Sequence, residues 1–295
     1  AQEGPALSRA FAPAHVSGLF AVHDEDPDPL KKGSRGAGWS LDDGAVAQVV
    51  RGDVLRIRID GEVVKAPVTR AALERLAPGQ ALNVDLHLGL PVGQGFGMSA
   101  AGTLAACLAA VDALGLEPEL ALEAAHVAEV QAGTGLGDAI GSWNGSGEVR
   151  MKPGCPPHGW AMRVEPPAGT RFLFCVLGAA IPTPRIIRDA AWKRKTRDLG
   201  DPAVDRIVEA KREGAWDRIL LESSSFSQAL GLMPDAMRRL GAALPDACRW
   251  GQSMLGNTMW VTGSDVDLEV ARRVLVKGGL LLEAGVDATG ARLLR

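Results

Sequence analysis

Pro91-Val92-Gly93-Gln94-Gly95-Phe96-Gly97-Met98-Ser99-Ala100-Ala101-Gly102 sets a glycine-rich loop directly before a run of small apolar residues. Upstream, Leu82, Val84, Leu86 and Leu88 alternate with Asn83, Asp85 and His87, the period-two pattern of a half-buried strand. Downstream, Ser99–Leu114 predicts a helix with Ser99 as its N-cap. A glycine loop that feeds a helix N-terminus gathers unsatisfied backbone N–H groups and the positive end of the helix dipole, which suits a phosphate. A hydroxyl at Ser99 lies within reach of such an anion or its magnesium ion. On glycine content alone, a tight strand-to-helix turn is an equally good reading.

Several phosphate-loop classes can be excluded. No Gly-Lys-Ser or Gly-Lys-Thr occurs, which removes the G-x-x-x-x-G-K-[ST] loop. A dinucleotide fingerprint can be forced onto Gly95-x-Gly97-x-x-Ala100. However, the strand before it alternates, whereas the first strand of a doubly wound sheet is continuously apolar. Neither His-Arg-Asp nor Asp-Phe-Gly is present, so the protein-kinase set is absent too.

Working outward, Val54–Ile59, the turn Asp60-Gly61 and Glu62–Val68 predict a hairpin, and Thr69–Leu76 a short helix. Pro118–Ala132 predicts another helix, closed by Gly133. The stretch Met151–Trp160 holds three prolines and two glycines, and we place a domain boundary there, giving domains 1–155 and 156–295. Beyond it, Arg171–Leu177 reads as strand, Ile187–Leu240 as mostly helix and Gly251–Val261 as strand. Val266–Lys277 reads as helix and Leu280–Leu294 as closing strands. The mixture predicts an α/β (α+β) chain in two lobes.

Composition narrows the function. With 32 basic and 35 acidic residues the net charge is −3, which leaves no basic footprint for nucleic acid or an anionic membrane. Aromatics are 4% with no tyrosine, so a base-stacking platform is not expected. Cys107, Cys155, Cys175 and Cys248 lie far apart without a C-x-x-C, which indicates neither a zinc site nor a disulfide framework and suits a reduced, cytoplasmic protein. Leu86–Val111 lacks Asp, Glu, Lys and Arg, but Pro91 and five glycines interrupt it, so no membrane span is expected. No signal-peptide-like run stands near residue 1.

The run P-x-x-x-G-x-G-x-S-A-A from Pro91 to Ala101 resembles the second motif of the GHMP kinases, usually P-x-x-x-G-L-G-S-S-A-A, with Phe96 in place of Leu. Ala12-Pro13-Ala14-His15 resembles the N-terminal motif of that family, and Trp250–Asn257 sits where its third, glycine-rich motif belongs. Phe11–Gly18, His23-Asp24, Asp28–Gly38 and Gly133–Asp138 are similar to the archaeal pantoate kinase subfamily.

The resemblance implies a C-terminal ferredoxin-like lobe, a homodimer, and phosphorylation of the primary hydroxyl of pantoate by ATP with Mg²⁺. Pro91, Gly93, Gln94, Gly95, Phe96, Gly97, Met98, Ser99 and Ala100 would then wrap the nucleotide. Ser99 and Glu129 would hold the magnesium, and Asp138 would activate the hydroxyl. His15, Ser34, Arg35, Gly36 and Ser253 would meet the substrate, with the planar fork of Arg35 on its carboxylate. Each has a plainer reading: Asp138 as a cap, Glu129 as a solvated helix charge, Arg35 as a surface arginine, His15 as a structural histidine. The basic run Trp192–Arg197 is most simply a solvated helix face. Rival functions are a kinase of another hydroxy acid or isoprenoid alcohol, a GHMP-like phosphoribosyl-transferring synthase that does not use ATP, and a non-catalytic paralogue.

Overall fold

The computed structural model describes residues 7–181 and 186–295. Its centre is a long antiparallel pair, β1 (Ser8–His23) and β2 (Gly33–Arg51), which alternation along the sequence does not reveal. The reason is burial on both faces: small residues such as Ala10, Ala12, Ala14, Ala37, Ala45 and Ala47 are all fully inaccessible, so no polar face is left to alternate. The predicted hairpin forms as β3 (Arg56–Ile59) and β4 (Glu62–Val63), with Asp60 and Gly61 both at positive φ in its turn. β5 (Leu82–Leu88) runs antiparallel to Ala45–Arg51 of β2 and parallel to β3.

β6 (Gly147–Lys152) pairs with the other half of β2 and with β7 (Trp160–Val164), while β12 (Arg292–Leu293) pairs with the outer edge of β1. Together these make an eight-stranded sheet among the described residues. The expected boundary at 155/156 lies inside the β6–β7 hairpin. The change of sheet comes later, between Val164 and β8 (Arg171–Val176), because the proline-rich stretch makes a turn rather than a linker.

Helices α1 (Pro67–Leu76), α2 (Met98–Leu114), α3 (Glu119–Ala132) and α4 (Asp138–Asn144) complete this lobe. α2 packs on β1 and β2 with α1 and α3 against it, so its alanine-rich surface is buried almost all round. This explains why 86–111 is uncharged without being a span, and no helix among the described residues is long and apolar enough to cross a membrane. One expectation is corrected here: Gly97, in the left-handed region at φ 60°, caps α2, and Ser99 sits inside the first turn.

In the second lobe, α5 (Ala190–Glu209), α6 (Lys211–Leu230) and α7 (Asp235–Ala242) follow β8. Then come β9 (Arg249–Gln252), β10 (Thr258–Thr262), α8 (Asp265–Leu275) and β11 (Leu280–Gly285). The strand order β11-β8-β10-β9, all antiparallel, is the expected ferredoxin-like arrangement. Asp189 caps α5 by accepting from Ala191 N and Trp192 N. The two sheets share one core. Trp39 of β2 stacks on Phe172 of β8 at 4.8 Å, Trp260 of β10 meets Trp39 edge-on at 5.3 Å, and Phe96 of the glycine loop meets Phe174 of β8 at 5.2 Å. These contacts fix the glycine loop against both lobes.

Candidate active site

A cavity of about 330 Å³ opens between the lobes, walled by the glycine loop, the start of α2, β1, and the segment Thr134–Asp138. The loop alternates in a functional way. Gly93, Gly95 and Gly97 line the cavity at φ 76°, 86° and 60°, as do Met98, Ser99 and Ala100. Gln94 and Phe96 turn away: Gln94 Nε2 donates to Gly178 O at 2.8 Å, and Phe96 is buried on Phe174. Pro91 does not line the cavity. A Cβ on Gly95 would stand 2.7 Å from that of Ser253 and 2.9 Å from Ser253 O, so no side chain fits there. Ser253 is buried behind the loop and supports it from outside the cavity wall. Gly36 is likewise not in the wall; a Cβ on it would strike Leu19 O at 2.4 Å, so its role is the close β1–β2 approach.

Two carboxylates reach the cavity. Glu129, on the last turn of α3, accepts from Ser99 Oγ at 2.6 Å. Burial drives its carboxyl up to about 7; hydrogen bonds from Ser99 and Thr134 oppose the rise, and the Asp138 charge adds to it. Asp138, the first residue of α4, behaves oppositely. Burial pushes it up, but the His15 hydrogen bond and charge, the Arg150 charge and the Ser17 hydroxyl outweigh burial and hold it below the ordinary carboxylate range. Its Oδ1 is 2.9 Å from His15 Nδ1 and accepts from Ser17 Oγ at 3.0 Å. His15 and Ser17 sit two apart on β1, flanked by register shifts at Pro13/His15 and Ser17/Leu19, and such bulges re-aim side chains.

Two further expected substrate contacts, besides Gly36 and Ser253, are located elsewhere. His15 has no exposed surface and does not line the cavity; its ring lies between Asp138 and Glu148. Arg35 also misses the cavity. Its guanidinium donates to Asp201 at 2.9 Å and Asp205 at 2.6 Å on α5, and its Nε donates to Met151 O. Those two aspartates lie more than 160 positions away in sequence, so nothing local to Arg35 foretells them. Ser34 does line the cavity, and its N donates to Leu136 O at 3.0 Å. Sequence reading passed over Phe20, Ile187, Glu148 and Arg150. The first two are ordinary apolar residues, and the last two belong to a strand with no motif.

The N-terminal-domain model of the GHMP kinases matches residues 62–146, which include the glycine loop and Asp138. Pantoate kinase of Thermococcus kodakarensis is 31% identical over 293 residues, covering 91% of this chain and 92% of that protein. Pantoate kinase of Methanospirillum hungatei is 31% identical over 299 residues, covering 97% and 96%. The chain belongs to the pantoate kinase branch of the GHMP kinases. A solved structure described as a phosphotransferase related to the CoA biosynthesis pathway superposes at TM-score 0.83, with 28% identity and 98% and 99% coverage. Mevalonate diphosphate decarboxylase of Staphylococcus aureus, at 12% identity and TM-score 0.77, shares the GHMP fold alone.

Proposed function

We propose that this GHMP kinase transfers the γ-phosphoryl group of ATP to the primary hydroxyl of pantoate, giving 4-phosphopantoate and ADP. The observation that carries the reading is the division of labour at Asp138. One oxygen is occupied by His15 and Ser17, and the carboxylate borders the same cavity as the glycine loop, beside Gly97 at the N-terminus of α2. The loop N–H groups suit the nucleotide phosphates. The acceptor hydroxyl donates to the second Asp138 oxygen. As its oxygen bonds to the γ-phosphorus, the bond to the β–γ bridging oxygen breaks, and the proton passes to Asp138. Phosphoryl transfer through a loose transition state asks for positioning more than for a strong base, so a carboxylate of lowered proton affinity is adequate.

Ser99 and Glu129 are hard oxygen donors already 2.6 Å apart, and they fit magnesium, which proteins hold with one or two carboxylates plus substrate phosphates. When bound, the ion supplies neutralisation of phosphate charge. Phe20, Leu136, Ile187 and Met254 give the acceptor region an apolar wall suited to a branched aliphatic alcohol. Ser34 and Leu136 are shared with a neighbouring cavity of about 340 Å³ that Arg150 and Lys152 also line, and this side suits the carboxylate of the acceptor. Cytoplasmic location and a homodimer complete the proposal; sedimentation velocity tests the latter.

The experiment is ADP release from Mg-ATP with a panel of hydroxy acids and alcohols, pantoate and mevalonate side by side. Turnover is expected with pantoate and not with mevalonate. ADP release with mevalonate but not pantoate overturns the substrate, and no release with any acceptor overturns the kinase reading.

A further inference from the structure

Behind Asp138 runs a row of charges whose far end, Glu148 and Arg150, no motif contains. His15 Nδ1 lies 2.9 Å from Asp138 Oδ1, and its Nε2 lies 3.1 Å from Glu148 Oε1, which also accepts from Arg150 Nη1. His15 and Glu148 have no exposed surface, and Arg150 has almost none. Both ring nitrogens therefore face oxygens that only accept when ionised. A neutral imidazole carries one N–H and satisfies one of them; an imidazolium satisfies both.

The socket is cut to the ring. A Cβ on Gly38 would fall 2.6 Å from Nε2, and one on Gly141 would fall 2.2 Å from Cδ2. The backbone of the same residue reaches the glycine loop, because His15 N donates to Phe96 O at 2.9 Å. His15 thus sets the spacing between the loop and Asp138.

We propose that Glu148 is a positioning residue that holds His15 as an imidazolium, whose charge keeps Asp138 ionised and pins Oδ1, leaving Oδ2 for the acceptor hydroxyl. The groups facing His15 are Asp138 from α4 and Glu148 from β6, with Arg150 of β6 behind Glu148; Asp138 faces His15, Arg150 and, from α3, Glu129. The alternation of sign along Asp138, His15, Glu148 and Arg150 is what makes so much buried charge tolerable. Burial alone pulls protons off His15, yet the hydrogen bonds and charges of Asp138 and Glu148 outweigh it and raise its proton affinity. One mechanistic consequence is definite. An imidazolium has no free lone pair, so the proton taken from the hydroxyl rests on Asp138 Oδ2 and is not relayed inward.

The inference rests on Asp138 being the proton acceptor, and its test includes a readout that needs no substrate. Long-range ¹H–¹⁵N spectra of histidine-labelled protein, with His15 assigned by its loss in His15→Gln, report both ring nitrogens between pH 5 and 9. Both are expected to stay protonated beyond pH 8, where free histidine, with a pKa near ~6.5, is neutral. In Glu148→Gln, His15 is expected to become neutral by pH 7.5, and kcat/KM to fall as His15 loses its proton, by about tenfold at pH 8 and by less than about twofold at pH 6. A loss of equal size at every pH is the outcome of a merely structural role and overturns the proposal. So does a neutral His15 in the unmodified protein, which is decisive even where Glu148→Gln does not fold. An imidazolium in a protein that ignores pantoate overturns the substrate alone.

Discussion

Glu129 and Asp138 stand nine positions apart, face one cavity, and are driven in opposite directions: Glu129 up to about 7, Asp138 below its ordinary range. Burial raises both. The difference lies in the partners. Glu129 is given neutral hydroxyls, whereas Asp138 is given an imidazole already enclosed by a second carboxylate, with Arg150 beyond it. Glu129 is thus left hungry for a cation, and Asp138 arrives with its positive charge built in. Equal carboxylates acquire different tasks from what was placed behind them.

The sharpest break in that comparison is Asp138→Asn. It keeps the shape and removes the acceptor of the proton, and kcat is expected to fall by more than about a hundredfold, or ~2.7 kcal/mol of barrier, while nucleotide binding measured by calorimetry holds. Retention of more than about a tenth of kcat assigns the proton to another group. Glu129→Gln is expected to lower kcat steeply and to raise the magnesium concentration needed for half-maximal rate. The same variant should make the metal-free protein more stable at pH 8, by about 1–3 kcal/mol in urea unfolding. The sign follows from the raised carboxyl: ionising Glu129 costs the folded state, so its penalty is absent at pH 4 and grows as pH rises from its unfolded value through about 7. A uniform loss of stability in Glu129→Gln at every pH breaks the contrast.

Gly95→Ala carries its Cβ into Ser253 at a φ of 86°, and KM for ATP is expected to rise by about tenfold with a much smaller change in KM for pantoate. The smallest expected effect belongs to Arg35→Ala. KM for pantoate should stay within about twofold, and melting should fall by a few degrees, because the partly exposed Arg35–Asp201–Asp205 cluster ties β2 to α5 rather than touching the cavity. A tenfold rise in KM at unchanged melting temperature returns Arg35 to the substrate.

The glycine loop, α2, α3 and the C-lobe elements were legible because each is local. A glycine cluster, an apolar run and a terminal Gly133 carry their meaning within a few residues. β1 and β2 were not legible, because a strand walled on both sides by protein shows neither alternation nor a polar face. Ser99 was assigned a cap that Gly97 supplies, since a left-handed glycine needs no side chain to end the turn. For the candidate site, residue identity was readable and direction was not. His15 stands in the right motif, but its side chain points away from the cavity, through bulges that depend on pairing with β2. Arg35 and Glu148 take their roles from residues more than 120 positions away, which no window along the chain contains.

β12, only two residues long, pairs with Ala10 and Phe11 on the outer side of β1. As the chain is synthesised, residues 8–23 emerge long before 292–293, so the edge at Ala10 and Phe11 stays without its partner strand throughout that interval. The strand that carries His15 and Ser17 therefore has an edge that a second nascent chain can borrow until β12 closes it. Arg292 strengthens that closure by lying over the Phe11 ring at 4.5 Å and pairing with Asp287 at 2.8 Å. The edge of the strand that positions Asp138 is thus closed by two residues remote in sequence from every group that does chemistry.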